Sequence, residues 1–296
     1  MKKIGFIGLG NMGMGMAKNL LNRGFAVKGF DLREEVRNEF KQYGGIPVNS
    51  AGETAEGSDV VFIMVLNGQQ VIGIVEGGLK EKLKKGTTVI ISATIGRNYI
   101  KEAEKLLVAA GAEVMDIPVS GGKSGAHNGT LTLMAAAKKA VLDDNDEVLR
   151  AIAKNIYHVG EEIGLGQVVK ACLQAMIGAS YEALFEAMVL GAKAGLDPEV
   201  LSTVINNSFV GSNLTKETTK LIMDRKFTNA GSHISTMYKD FAISMNMARE
   251  LGVPMPAASV AMEMFQAGIT AIPEGDNWCI VQLLEKLAAT EVRRKS

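Results

Sequence analysis

Lys170 and Gln174 stand four residues apart, with Gly166 four before the lysine, so all three share one face if the segment is helical. A lysine can take up and return a proton. An amide can hold either that lysine or the molecule it acts on. The surrounding stretch, GLGQVVKACLQAMIGASYEALFEAMVLGAKAG, consists of helix formers without proline and is apolar around much of its circumference. Burying a lysine and an amide on such a helix is costly unless they are used. The plainer alternative is that Lys170 runs its stem along the surface and ends in solvent.

A second group lies in IPVSGGKSGAHNGT, Ile117 to Thr130. Gly121-Gly122-Lys123-Ser124 copies the end of a phosphate-binding P-loop, but that loop needs a glycine five positions before Gly122, where Ile117 stands. Pro118 also fits poorly with a strand running straight into a phosphate cradle. The remaining uses are an anion nest made by the backbone amides of Ser120, Gly121 and Gly122, suited to a carboxylate, or a loop that only turns the chain. His127, in the same loop, is a candidate for touching a substrate hydroxyl.

The third group is KIGFIGLGNMGMGMAKNL, where Gly8, Gly10 and Gly13, with Asn11 and Met12 between the last two, spell G-x-G-x-x-G after a strand pattern and at the start of a helical one. Gly8 permits the tight turn, Gly10 admits a pyrophosphate, and Gly13 lets the helix pack closely on the strand. Asp31 ends the next strand pattern. It can accept hydrogen bonds from an adenosine ribose and would repel a 2′-phosphate, favouring NAD. Arg33 leaves NADP possible.

These groups need elements to position them. Strand patterns at KIGFIG, AVKGFD, DVVFIMV, TTVIIS, EVMDI, TLTLMAA and NIYHVG alternate with helical patterns, including residues 11–23, 34–43, 98–110 and 139–154. Alternation with nearly all-apolar strands predicts a parallel sheet covered on both faces. After Gly160 strand signals cease; beyond the long apolar helix, helical patterns follow at 198–206, 213–223, 233–251, 257–270 and 276–289. The expected division is a Rossmann-type dinucleotide-binding domain over 1–162 and an all-helical domain over 163–296, joined by a long interdomain helix. Lysine plus arginine equals aspartate plus glutamate at 32 each, so no general pull toward nucleic acid or acidic membranes is expected. The two cysteines are too few for a disulfide framework or a zinc site, and the three histidines have no metal spacing. The expectation is a soluble cytoplasmic protein without a metal.

Four ordered motifs, GFIGLGNMGMGMA, DIPVSGGKSGAHNGTLTLM, GLGQVVKACLQ and YKDFAISMNMARELGVPMP, give the chain a family resemblance over nearly its whole length. It resembles the β-hydroxyacid dehydrogenases, and looks most like their L-threonate dehydrogenase branch. The resemblance implies substrate binding by Ser120, Gly121 and Gly122, and a catalytic role for Lys170. It also implies that Lys239 lies near the nicotinamide, and that Thr94, Leu66 and Asn67 touch the cofactor. One departure stands out: Gln174 occupies a position where most members carry asparagine. Together these features predict an NAD-dependent oxidation of a small hydroxy acid, with a polyhydroxy acid of the threonate type favoured. Lys170 is the expected acid–base, Gln174 a substrate contact, and the assembly a homodimer or homotetramer. An NADPH-linked reductase of an aldehyde acid, a dehydrogenase of 3-hydroxyisobutyrate and, more distantly, a non-catalytic dinucleotide-binding protein remain as alternatives.

Overall fold

A computed structural model describes residues 1–294. The chain forms two compact units, Met1–Lys170 and the residues from Ala171 on.

In the first unit, β1 (Lys3–Ile7), β2 (Ala26–Phe30), β3 (Ile46–Pro47), β4 (Val60–Ile63), β5 (Thr88–Ile91) and β6 (Glu113–Asp116) are all parallel, in the spatial order β3-β2-β1-β4-β5-β6. That is the doubly wound dinucleotide-binding order. The reason for the near-continuous apolar strands is visible in β4, where alternate residues serve two different cores. Val60 and Phe62 pack with Ile4, Phe6 and Ile90 on one face, and Val61 and Ile63 with Ile7, Val89 and Ile91 on the other.

The expectation of a parallel sheet fails beyond β6. The strands β7 (Val119–Ser120), β8 (Leu131–Ala136) and β9 (Ala153–Gly160) extend the sheet, with β8 antiparallel to both β6 and β7, and β9 parallel to β8. The reversal comes between β7 and β8, at a turn where Gly129 is left-handed at φ 66°. A fully apolar strand such as LTLMAA reads the same in either direction. The single helix expected over 139–154 is also corrected. It breaks at Asn145, whose buried amide donates to the Val141 carbonyl, and the chain divides into Lys139–Asp144 and Asp146–Ile152 before entering β9.

A 29-residue helix, Leu165–Lys193, spans the division between the two units, which falls after Lys170. By length and composition alone it could cross a membrane, with 44% of its most apolar window buried inside the protein. Its buried Gln167, Lys170, Gln174 and Glu182 are the groups a lipid-facing span avoids. The second unit adds helices Pro198–Asn206, Asn213–Met223, Ile234–Glu250 and Pro256–Ala271, and a final turn at Asn277–Ile280 that continues as Val281–Ala288. Apart from one isolated bridge, His233 with Asp276, no strand pairing recurs among its described residues. Its core is aromatic: Tyr181 stacks on Phe185, and Phe241 meets Phe265 edge to face at 5.8 Å. A Cβ on Gly178 would lie 2.4 Å from the Phe241 ring, so the glycine admits it.

Candidate active site

The glycine turn after β1 is built for close approach. Gly8 has φ 90°, and a Cβ there would lie 2.1 Å from the Met64 carbonyl oxygen; one on Gly13 would lie 1.8 Å from the Gly8 oxygen. Neither position tolerates a side chain. At Gly10 a Cβ would meet nothing nearer than the Arg33 guanidinium, 3.7 Å away. The helix Asn11–Asn22 that follows has no side-chain cap and no acidic residue in its first turn. Its positive end is therefore left open beside an arginine, which suits a pyrophosphate. Asn11 is exposed, Met12 half-buried and Gly13 buried, in line with a turn that presents backbone outward.

Asp31, at the end of β2, ties this turn down. Its Oδ2 accepts from the Leu9 amide at 3.0 Å, and both carboxylate oxygens accept from the Arg33 guanidinium at 3.0 and 3.2 Å. Burial works to raise the carboxyl, but hydrogen bonds from the Arg33 side chain and amide outweigh it and hold Asp31 below its ordinary value. The sequence left Asp31 and Arg33 as rival influences on cofactor choice. In the structure they are partners.

Along the same sheet edge, Leu66 is exposed, and the Asn67 Oδ1 accepts from the Gln70 amide at 2.9 Å, capping the helix Gly68–Ile74. Thr94 follows β5, half-buried. Ser120 ends β7, but the expected loop after it is a helix, Gly122–Asn128, with Gly121 at φ 126° and Gly122 at φ 59°. Both glycines adopt a conformation closed to most residues, and Gly121, Gly122, Lys123 and Ser124 are all exposed. His127 is engaged elsewhere: its Nε2 lies 3.2 Å from the Asn11 carbonyl oxygen, joining this short helix to the glycine turn. Gly15 makes room for that packing, since its Cβ would fall 2.8 Å from the backbone at Ala126 and His127.

Two residues that the sequence did not single out organise the start of the long helix. Asp116, the last residue of β6, is wholly buried and accepts from the amides of Gly164 and Gln167 at 3.0 and 3.1 Å. Burial pushes its carboxyl up to about 6, against the opposing pull of the Gln167 side chain and nearby amides. Gln167 is also buried and bonds to Asp116 through its side chain. One turn further on, Lys170 is only 8% exposed, so the snorkelling alternative is excluded. Gly166 explains how the helix reaches this place: a Cβ on it would lie 2.8 Å from the Asp116 and Met134 carbonyl oxygens and from Pro118. The turn carrying Lys170 therefore starts directly against the segment that leads into Ser120.

In the second unit Gln174 is held by the helix Ile234–Glu250. Its amide nitrogen donates to Asp240 Oδ2 at 2.8 Å and lies 3.5 Å from the Met237 sulfur. Lys239 Nζ sits 2.6 Å from the other oxygen of the same carboxylate. Asp240, another residue the sequence did not single out, thus holds both Gln174 and Lys239. A Lys-Asp dipeptide on a helix reads as a surface charge pair, so nothing in the sequence marked it.

Comparison with known proteins bears on this arrangement. Residues 3–160 match the family described as the NAD-binding domain of 6-phosphogluconate dehydrogenase, and residues 164–284 the one described as NAD-binding of NADP-dependent 3-hydroxyisobutyrate dehydrogenase. The L-threonate dehydrogenase of Cupriavidus necator is 34% identical over 93% of both chains. The chain belongs to the β-hydroxyacid dehydrogenase family. The 2-(hydroxymethyl)glutarate dehydrogenase of Eubacterium barkeri is 33% identical over 98% of this chain and 97% of its own. The 3-hydroxyisobutyrate dehydrogenase of Mycobacterium tuberculosis, solved with L-serine, superposes with a TM-score of 0.90 at 27% identity, over 96% of this chain and 99% of that one. As a β-hydroxyacid dehydrogenase, this protein is an NAD(P)-dependent oxidoreductase that acts on the CH–OH group of a small hydroxy acid.

Proposed function

We propose that this dehydrogenase uses NAD to oxidise a polyhydroxy acid of the threonate type, with Lys170 as general acid–base. The observation that carries the reading is the burial of Lys170 one turn beyond Gly166, whose close contact with Pro118 sets that helix beside the Ser120 segment. When bound at the glycine turn, the nicotinamide cofactor supplies the hydride acceptor. The chain does the rest. Backbone at Gly8, Gly10, Asn11, Met12 and Gly13 receives the pyrophosphate, and Asp31 receives the ribose. Leu66, Asn67 and Thr94 line the cofactor's path. Amides at Ser120, Gly121 and Gly122 hold the substrate carboxylate, which fixes the carbinol carbon. Lys170 then takes the hydroxyl proton as the carbonyl forms and returns it in the reverse direction. A fixed carboxylate and a fixed base turn an encounter into a nearly unimolecular step.

For Gln174 and Lys239 the proposed roles, at the substrate and the nicotinamide end respectively, rest on the family resemblance, and Asp240 holds both side chains in place. The dinucleotide-binding domain is proposed to end near residue 162, and the assembly to be a homodimer or homotetramer. The case for a polyhydroxy substrate is narrower than the sequence suggested. Of Lys123, His127 and Gln174, two already have partners within the protein. What supports it is the exposed Lys123–Ser124 pair beside Ser120 and the similarity to L-threonate dehydrogenase.

Steady-state kinetics on the full-length protein test this, using L-threonate, 3-hydroxyisobutyrate and 2-(hydroxymethyl)glutarate, each with NAD and with NADP. The expected outcome is the highest kcat/KM for L-threonate with NAD, by tenfold or more, corresponding to about 1–3 kcal/mol for each polar group left unmatched by the other acids. A higher kcat/KM for 3-hydroxyisobutyrate would overturn the polyhydroxy assignment.

A further inference from the structure

Gln167 uses the full hydrogen-bonding capacity of a primary amide inside the protein. Its Oε1 accepts from the backbone amides of Ile95 and Gly96 at 2.9 and 3.0 Å. Its Nε2 donates to the Ala93 carbonyl at 3.1 Å and to Asp116 Oδ1 at 2.8 Å. Three of these partners, Ala93, Ile95 and Gly96, bracket Thr94. Two donors and two acceptors are satisfied, so the amide cannot be turned over without losing all four bonds.

Asp116 completes the arrangement. Every group that bonds to it is a neutral N–H donor: the Gln167 side chain at Oδ1, and the amides of Gly164 and Gln167 at Oδ2. The Gly166 amide contributes as well. A site surrounded by donors needs a side chain that only accepts. Asparagine has the same shape, but either orientation would set its NH₂ against an N–H. This explains why a carboxylate is buried here at a desolvation cost that an apolar residue would avoid. The carboxylate also lies at the start of the 29-residue helix, where it meets the positive end of the dipole and three amides that lack partners within the helix.

We propose that Asp116 and Gln167 are positioning residues which fix the distance and rotation between Lys170 and the Thr94 segment, so that proton and hydride leave the same carbinol. The inference rests on the reading of Lys170 as the acid–base and of Thr94 as a cofactor contact. Residues 164–167 set the rotational phase of the helix, and Lys170 follows three residues after Gln167 on a rigid turn. Gly166 presses that turn against the Asp116 and Met134 carbonyls, which removes freedom along the axis. Gln167 then joins the same turn to the backbone on both sides of Thr94. One side chain thus spans the element carrying the proton acceptor and the element beside the hydride acceptor. A packing role alone would need neither the four directional bonds nor the acceptor-only partner.

The test compares the variants Gln167→Met, Asp116→Asn, the pair Asp116→Asn/Gln167→Glu, and Lys170→Ala. It uses the full-length protein with NAD and whichever of the three acids above the wild type turns over fastest. Gln167→Met keeps length and volume but removes the amide. Its kcat is expected to fall by about 10²-fold, the scale of a misplacement near 1 Å. NAD affinity, measured by fluorescence titration, should stay close to wild type because the glycine turn and Asp31 lie elsewhere. The solvent deuterium isotope effect on kcat should rise as proton transfer to a misplaced lysine becomes limiting. In the paired variant the asparagine NH₂ faces a glutamate acceptor, but that acceptor opposes the Ala93 carbonyl beside Thr94, so its kcat should stay well below wild type. If Asp116→Asn does not fold, Gln167→Met with its isotope effect decides the matter. A Gln167→Met enzyme that folds and keeps wild-type kcat and isotope effect, while Lys170→Ala is inactive, would overturn the positioning role and leave Lys170 as the base. Wild-type turnover in Lys170→Ala would instead overturn the reading on which the inference rests.

Discussion

The proposed ribose contact would give Asp31 a second duty beside the one the structure shows. Asp31 can accept from a ribose, yet both its oxygens are already occupied by Leu9 and Arg33, so a ribose hydroxyl must share or displace the guanidinium. Arg33 is half exposed, with its charge offset by the carboxylate it grips. On the proposed reading, replacing Asp31 by alanine removes the negative charge that would repel a 2′-phosphate and releases the arginine to bind one, while NAD would lose its ribose acceptor. The Asp31→Ala variant should therefore shift the ratio of kcat/KM for NADP over NAD by tenfold or more, or about 1.4 kcal/mol for each factor of ten. Paired kinetics with the two cofactors measure it. An unchanged ratio would mean that Asp31 serves only to brace the turn through Leu9.

At the level of elements, Gly166 and Gly73 make a controlled comparison. Both lie in helices, where alanine is favoured over glycine by about 1 kcal/mol. Around Gly73 a Cβ would meet nothing within 4 Å, whereas at Gly166 it would meet two carbonyl oxygens and a proline ring at 2.8 Å. Those neighbours belong to β6, β8 and the intervening chain, so they cannot swing aside. Gly73→Ala should hold or raise the melting temperature. Gly166→Ala should lower stability by about 1–3 kcal/mol, the range for overpacking, and reduce turnover more than NAD binding because it displaces Lys170. Thermal melts and titrations on both variants check this. The start of the long helix also shows what the sequence could and could not disclose. The glycine turn after β1 and the long apolar helix were legible because each depends on local spacing. The helices at 198–206 and 213–223 were legible too, since Asp197 and Ser212 cap them and the apolar period is clean. The Asp116–Gln167 network was not legible, because its partners lie 48 to 74 residues apart in the chain. The reversal of β8 and the helix over Gly122–Asn128 escaped for a related reason: glycine-rich chain and uniformly apolar strands carry no sign of direction.

Taken whole, the molecule combines two units with different sources of stability. The first is a twice-covered sheet whose two faces hold separate apolar cores. The second is a helical body around Tyr181, Phe185, Phe241 and Phe265. Each unit braces a set of polar residues with a buried carboxylate, Asp116 in the first and Asp240 in the second. In both cases the carboxylate fixes an amide on the long helix, Gln167 or Gln174. The central requirement of the proposed chemistry is one proton acceptor at one position. Single-turnover reduction of NAD by Lys170→Ala, beside the wild type and with the acid that the wild type oxidises fastest, tests that requirement most directly. The expected result is a loss of about 10²–10⁴-fold in the rate of the chemical step, with NAD affinity close to wild type. A variant that reduces NAD at the wild-type rate would contradict the assignment of Lys170 as the general base.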